Sequence, residues 1–333
     1  MTDVARAAGV SIKTVSRVVN AEAPVHPGTA AKVRAAIEQL GFRRNAGARN
    51  LRTGSGTGTL GLIVEDVGNP FYSELHRAIE RAAATGGRYV LTASSDGDRE
   101  RERQLALEFC ARRVDGLVII ACGERHDYLA AEIKAGTPVV FADRPGGEPG
   151  ADTVLADDEA GAAMAVAHLA RLGHRRIGFL GDAKEVHTAR QRLLGFRRGC
   201  AEAGIDYDER LVRLGFRARG TETGLAEVSA ALRETGAATA IVTGNNRITV
   251  AVLRAIAAGE RRPELVGFDD FELADLLDPP VSVVASDLTA LGTTAAELLL
   301  ARMRGDRSPP KKVVLPMRLI ARSRPLPHKE ITP

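Results

Sequence analysis

Cysteine is scarce. Cys110, Cys122 and Cys200 are scattered, odd in number and without CxxC spacing, which excludes a disulfide framework and a cysteine metal site. They read as small core residues in a reducing compartment. Tryptophan is absent and aromatics make up only 4% of the chain, so any stacking platform must be Phe or Tyr. No apolar run approaches the roughly 18 residues of a membrane span, and the N-terminus lacks a basic-then-apolar leader. Catalytic signatures are missing too: there is no Walker A loop, no HExxH and no nucleophile elbow. Gly56-Thr57-Gly58-Thr59-Leu60-Gly61 matches GxGxxG in form only, because it precedes a strand instead of joining a strand to a helix; it reads as linker. These absences lead us to expect a cytoplasmic protein with no membrane partner, no metal, no cofactor and no enzymatic activity.

What is present is an uneven charge. The formal net charge is +4 over 333 residues, yet residues 1–58 hold nine Lys/Arg against three acids, and the remainder holds 37 basic against 39 acidic residues. The positive excess sits wholly in the N-terminal segment, as a nucleic-acid partner predicts. A solvated basic face is the plainer alternative, but this cluster coincides with a helix-turn-helix pattern. Asp3–Ala8 reads as one helix, Gly9-Val10-Ser11 as a turn, and Ser11 as the N-cap of a second helix running to Asn20. Val15, Val18 and Val19 form its core stripe. Ile12, Lys13, Ser16, Arg17 and Asn20 fall on the other side, where base-edge and phosphate contacts require polar and cationic groups. This pattern implies binding to a specific DNA sequence. A third helix is predicted over Pro27–Leu40, with an apolar stripe of Ala30, Val33, Ile37 and Leu40 and Gly41 as its stop. The TGSGTGT stretch is flexible linker and places a boundary near residue 58.

From Leu60 the pattern changes to alternating strands and helices. Strands are predicted at 60–64, 89–94, 116–121, 138–142, 176–181, 239–244 and 265–269, with amphipathic helices at 71–85, 99–112, 158–172, 189–203, 223–235 and 247–258. Such alternation predicts parallel sheets covered on both faces. Six or more such units exceed one small sheet, so two α/β lobes with a ligand cleft between them are expected.

DVARAAGVS with TVSRVVN, the NAGARNLRTG segment, NPFYSEL, VDGLVI, LARLGHRRIGFLG and LVGFDD with DPPVS downstream together resemble the lactose-repressor (LacI/GalR) family of bacterial transcription regulators. The resemblance covers almost the whole chain. It implies a small all-α helix-turn-helix headpiece over 1–44, a hinge helix and linker over 45–58, and a two-lobed α/β core of the type I periplasmic-binding-protein kind with parallel sheets. The N-terminal lobe would comprise 59–156 and 288–315, and the C-terminal lobe 157–287 and 316–327. It further implies that Ile12, Lys13 and Arg17 read bases while Thr14, Ser16 and Asn20 hold phosphates. Thr14 and Ser16 could equally be ordinary surface hydroxyls. Asn45–Leu51 resembles the hinge helix, too short to be stable alone, and Leu51 would wedge into the minor groove beside Arg49, Asn50 and Arg52. Three departures from the family pattern stand out. The usual Thr or Ser cap of the first helix would precede Met1, so the true start is expected a few residues upstream. His26 replaces a Ser cap before Pro27, and Arg44 replaces a hinge Pro.

The family's pocket positions correspond to Phe71, Tyr72, Asp143, Arg192, Asn245 and Asp269. The resemblance thus implies a small-molecule effector, a sugar or related metabolite, with Arg192 as a planar donor fork and the two aspartates as acceptors. The alternatives are structural: Asp143 and Asp269 could cap the next helix, and Phe71 could be core. Two DNA half-sites imply a homodimer on a palindromic operator, with no tetramer-forming heptads in the tail. The expected function is a repressor whose effector acts as inducer or corepressor. An enzyme and a sugar-uptake binding protein are the rival classes, which the basic headpiece disfavours.

Overall fold

The computed structural model describes residues 1–20, 24–42, 56–147, 150–216 and 222–322. The expected hinge helix, with Arg49, Leu51 and Arg52, lies outside the described residues, as does the end of the tail. The chain divides into two compact units, Met1–Thr57 and Gly58–Pro333.

The first unit contains α1 (Thr2–Ala8), α2 (Ile12–Asn20) and α3 (Pro27–Gln39). Gly9 ends α1 in the left-handed region at φ 62°, a conformation that a side chain would disfavour. Ser11 Oγ accepts from the Thr14 N–H at 3.1 Å, capping α2 as its sequence predicts. Val4, Ala5, Val15, Val33 and Ala36 make the core, with Val18, Val19 and Ile37 packed against it. Leu40 does not continue the stripe of α3: the helix stops one residue before it and Leu40 is 47% exposed. The His26 departure also resolves physically, because its Nδ1 accepts from the Gly28 N–H at 3.3 Å and does a serine's work.

In the second unit the order is β1 (Thr59–Val64), α4 (Pro70–Thr85), β2 (Tyr89–Ser94), α5 (Arg99–Ala111), β3 (Gly116–Ile119), α6 (Ala130–Lys134), β4 (Val139–Ala142), β5 (Asp152–Ala156), α7 (Asp158–Arg171), β6 (Ile177–Leu180), α8 (His187–Glu202), β7 (Val212–Arg213), α9 (Glu222–Glu234), β8 (Ala240–Thr243), α10 (Asn246–Ala257), β9 (Glu264–Phe268), β10 (Ser282–Ser286), α11 (Leu288–Met303), β11 (Lys312–Leu315) and β12 (Met317–Ile320). One six-stranded sheet runs β11-β5-β4-β3-β1-β2, all parallel, and the other runs β12-β10-β9-β8-β6-β7. In the second sheet only β12 is antiparallel to its neighbour, pairing Val283 with Ile320 and Ser286 with Met317. The central strands of both sheets are buried on two faces and are near-continuous apolar runs, whereas the edge strands β2, β7, β11 and β12 are partly exposed. Leu75 and Ile79 of α4 and Leu291 and Leu299 of α11 cover one face of the first sheet, and Phe109 of α5 with Leu129 covers the other. On the second sheet α7 and α8 pack so closely that a Cβ on Gly195 would lie 2.0 Å from the Glu159 carbonyl oxygen.

The chain crosses between the sheets three times: at Asp157 after β5, at Asp287 after β10 and at Pro316 after β11. Asp157 and Asp287 cap the helices that follow, accepting from the N–H groups of Ala160 and Ala290.

Candidate DNA-reading helix and interlobe cavity

α2 exposes the side chains expected to read DNA. Val15 is buried, which turns Ile12 (50% exposed), Lys13 and Arg17 outward. Lys13 and Arg17 lie one helical turn apart and can reach neighbouring base or phosphate positions. Thr14 Oγ1 lies 2.9 Å from Ser11 Oγ, and Ser16 Oγ accepts from Asn20 Nδ2 at 3.0 Å. These hydroxyls are held in place at the helix surface, an arrangement suited to fixed phosphate contacts and equally to local stabilisation.

In the second unit, a cavity of ≈ 590 Å³ opens between the two sheets at the carboxyl ends of their strands, where open α/β sheets bind ligands. Phe71, Tyr72, Asp143, Arg192, Asn245 and Asp269 all line it. Phe71 also belongs to the apolar core, its ring edge-on to Tyr72 at 5.0 Å. Asp143 and Asp269 follow β4 and β9, adopt φ of 66° and 59°, and are 5% and 8% exposed. No helix starts at either residue, so the helix-capping alternative does not apply to them. Asn245 does cap a helix: its Oδ1 accepts from the Ile248 N–H at 2.8 Å, while its Nδ2 donates to Asp182 at 3.2 Å.

Arg192 is a donor fork already in use. Nε donates to Asp158 at 2.7 Å and Nη1 to the Gly244 carbonyl at 2.6 Å; both Nη atoms reach Asp269 at 3.5 Å, and the guanidinium stacks 4.3 Å over Phe268. Burial opposes its charge, but Asp158 and Asp269 outweigh that and hold it firmly protonated. On the opposite sheet Arg144 donates to Glu65 at 2.6 Å and to the Tyr72 hydroxyl at 3.0 Å, with Asp143 3.5 Å from its Nε. Burial pushes Asp143 up to about 7 against the pull of Arg144, with Asp158 and Asp269 adding to the rise. Burial likewise raises Asp158, Asp182 and Asp269 from the usual carboxylate range.

Three polar contacts tie the two lobes together beside the cavity. Asn246 Nδ2 donates to Asn69 Oδ1 at 2.8 Å, Arg247 pairs with Asp66, and Arg190 pairs with Glu124. Glu65, Asp66, Asn69, Arg144, Asp158, Asp182 and Arg247 were not singled out from the sequence. All seven lie within two residues of a strand's end or a helix's start, and that position is the available signal. Cys122, also at the cavity, is no thiolate nucleophile: burial pushes it up to about 12, and Glu102 adds to the rise. Among the described residues, no three or more His, Cys, Asp or Glu side chains group as metal ligands, and no helix is long and apolar enough to cross a membrane.

Residues 1–45 match the family model for bacterial regulatory proteins of the lacI family, and residues 166–323 match that for a periplasmic binding protein-like domain. The chain is 32% identical over 328 residues to the HTH-type transcriptional regulator DegA of Bacillus subtilis (strain 168), covering 96% of each protein. Among solved structures, it resembles the Lac repressor dimer bound to operator and the anti-inducer ONPF, with 27% identity, 96% of this chain and 97% of that one covered, and a TM-score of 0.80. It also resembles the transcriptional regulator CelR in complex with cellobiose, with 29% identity, coverage of 96% and 98%, and a TM-score of 0.70. The helix-turn-helix and the two-sheet core are thus those of known regulators in sequence as well as in shape, and the chain belongs to the lacI family of bacterial regulatory proteins.

Proposed function

We propose that this protein is a cytoplasmic, non-enzymatic repressor that binds a palindromic operator as a homodimer and responds to a small polyhydroxylated effector in the interlobe cavity. The domains in this reading are the headpiece 1–44, the hinge and linker 45–58, and lobes of 59–156 with 288–315 and 157–287 with 316–327. Lys13 and Arg17 donate to guanine edges, Ile12 meets a thymine methyl, and Thr14, Ser16 and Asn20 fix the register on phosphates. Leu51, flanked by Arg49 and Arg52, is the minor-groove wedge. The observation that carries the proposal is the ≈ 590 Å³ cavity, whose acceptors and donors come from both sheets of a chain that also carries a basic helix-turn-helix. A ligand held by Asp143 on one lobe and by Asp269 and Asn245 on the other changes the balance between lobe orientations. Its differential affinity for the two states is then the coupling to DNA.

The test is selection of genomic fragments by the full-length protein, with and without metabolites, at moderate salt. The expected result is one or a few promoter fragments with two-fold sequence symmetry, retained or released when a metabolite is added. Binding without preference over bulk genomic competitor under every condition would refute the proposal.

A further inference from the structure

We propose that the cavity takes a polyhydroxyl ligand that carries no anionic group, an uncharged sugar or an amino sugar, and rejects phosphorylated and carboxylated ones. This rests on reading the cavity as the effector site. Three of the guanidiniums lining it are paired with carboxylates: Arg144 with Glu65 and Asp143, Arg192 with Asp158 and Asp269, and the partly exposed Arg247 with Asp66. Asp182 adds a sixth carboxylate whose hydrogen bonds come only from neutral groups, the Asn245 amide and the Ala183 N–H. Six acids therefore stand against three cations, each of which has a carboxylate within 3.5 Å, although the buried Arg144 Nε makes no hydrogen bond. A fourth guanidinium, the exposed Arg99, also lines the cavity and donates from Nε to the Cys122 carbonyl at 3.4 Å; its sequence neighbours Asp96, Asp98 and Glu100 line the cavity with it.

A buried phosphate must recover its lost hydration from cationic or N–H donors. Here it would have to displace a carboxylate from one of the paired guanidiniums or take the exposed Arg99, and in either place meet the surplus carboxylates of the lining. The one helix that opens on the cavity without a side-chain cap is α8, a natural seat for an anion, but Asp182 and Glu185 sit just before it. Hydroxyl and ammonium groups meet the opposite situation. Asp143 is 5% exposed, with only the Arg144 Nε at 3.5 Å, and Asp269 is 8% exposed, with only the long 3.5 Å bonds of Arg192. Both are buried acceptors with lone pairs unused, one on each lobe, so a donor-rich ligand can bond them simultaneously. The upward push on the Asp143 carboxyl is a consequence of the same burial and negative surplus.

The experiment is calorimetric titration of the full-length protein with matched sets of probes: neutral mono- and disaccharides, the corresponding amino sugars, their phosphate esters, and inorganic phosphate. For each set in which one member binds, the phosphate ester should bind at least about 100-fold more weakly than its parent, and the amino sugar at least as tightly as the parent. Asp182→Asn should narrow the gap between parent and ester without abolishing binding of the parent. A phosphate ester that binds as well as its parent, or inorganic phosphate that binds in the cavity and competes with the sugar, overturns the inference. If no probe binds, or if binding is unchanged in Asp269→Ala and Asp143→Ala variants, the reading of the cavity as effector site falls instead, and with it this inference.

Discussion

Replacing Asp143 with Asn tests the electrostatic description of the cavity most directly. The carboxyl is buried at the end of β4 and pushed from 3.8 up to about 7, a shift worth about 4 kcal/mol against the ionised form. Because the folded value is the higher one, the folded chain holds a proton that the unfolded chain has released over the window between pH 4 and 7. The group's contribution to stability is therefore full below pH 4 and is lost as pH rises through 7. Between pH 5 and 7 the loss amounts to about 2 kcal/mol, the slope of about 1.4 kcal/mol per unit flattening as the carboxyl ionises near pH 7. Asn cannot ionise and removes that dependence, while Arg144 keeps Glu65 and Tyr72 as partners. The assay is urea unfolding followed by far-ultraviolet circular dichroism, since there is no tryptophan to report, at half-unit steps from pH 5 to 8. Stability of Asp143→Asn minus that of the wild type should grow by about 2–3 kcal/mol across this range. A difference that stays flat to within about 0.5 kcal/mol would show that the carboxyl titrates normally, and the account of a desolvated, under-partnered acid would be wrong.

Other perturbations separate the remaining parts of the structure. Gly195→Ala must force α7 and α8 apart, because the new Cβ meets the Glu159 backbone at 2.0 Å; a loss of about 3 kcal/mol or more is expected in the same unfolding assay. His26→Ala should cost the first unit about 1 kcal/mol, and His26→Ser should restore it, as read by the melting of helical dichroism. Arg247→Ala removes a partly exposed pair with Asp66, so stability should fall by no more than about 1 kcal/mol, while stopped-flow measurements should show faster ligand release. Lys13→Ala should lower discrimination at one base pair of each half-site by about 1–3 kcal/mol, whereas Ser16→Ala should weaken binding evenly across sequences; gel retardation on a set of mutated operators distinguishes them.

The helix-turn-helix was legible because a short amphipathic helix with a serine cap leaves little choice about which face is inside. The third helix shows where such periodicity fails: Leu40 keeps the spacing but falls after the last helical residue, where there is nothing left to pack against. His26 reads as a lost cap because imidazole is an uncommon one, yet the turn before α3 brings its Nδ1 to the Gly28 N–H. In the core, seven strands are visible in the sequence as apolar runs, while β5, β7, β10, β11 and β12 and the helix Leu288–Met303 are not, although several of these strands are as long as marked ones. β7 has two residues, and β11 and β12 are separated by Pro316 alone and only partly buried. The six candidate cavity residues do converge, yet the engagement of Arg192 was hidden. Its main partner, Asp158, looks in sequence like an ordinary first-turn acid favoured by the helix dipole. Which charges neutralise each other depends on packing between residues tens of positions apart, and no local pattern encodes that.

The crossings at Asp157, Asp287 and Pro316 have a bearing on biosynthesis. The first sheet receives its outer strand from residues 312–315 and the helix over one face from 288–303, so a nascent chain that has left the ribosome only as far as β5 cannot finish that lobe. It must wait, apolar face uncovered, until almost the whole polypeptide has been translated. Truncation near the C-terminus should thus produce insoluble material and a demand for chaperones instead of a well-behaved half molecule.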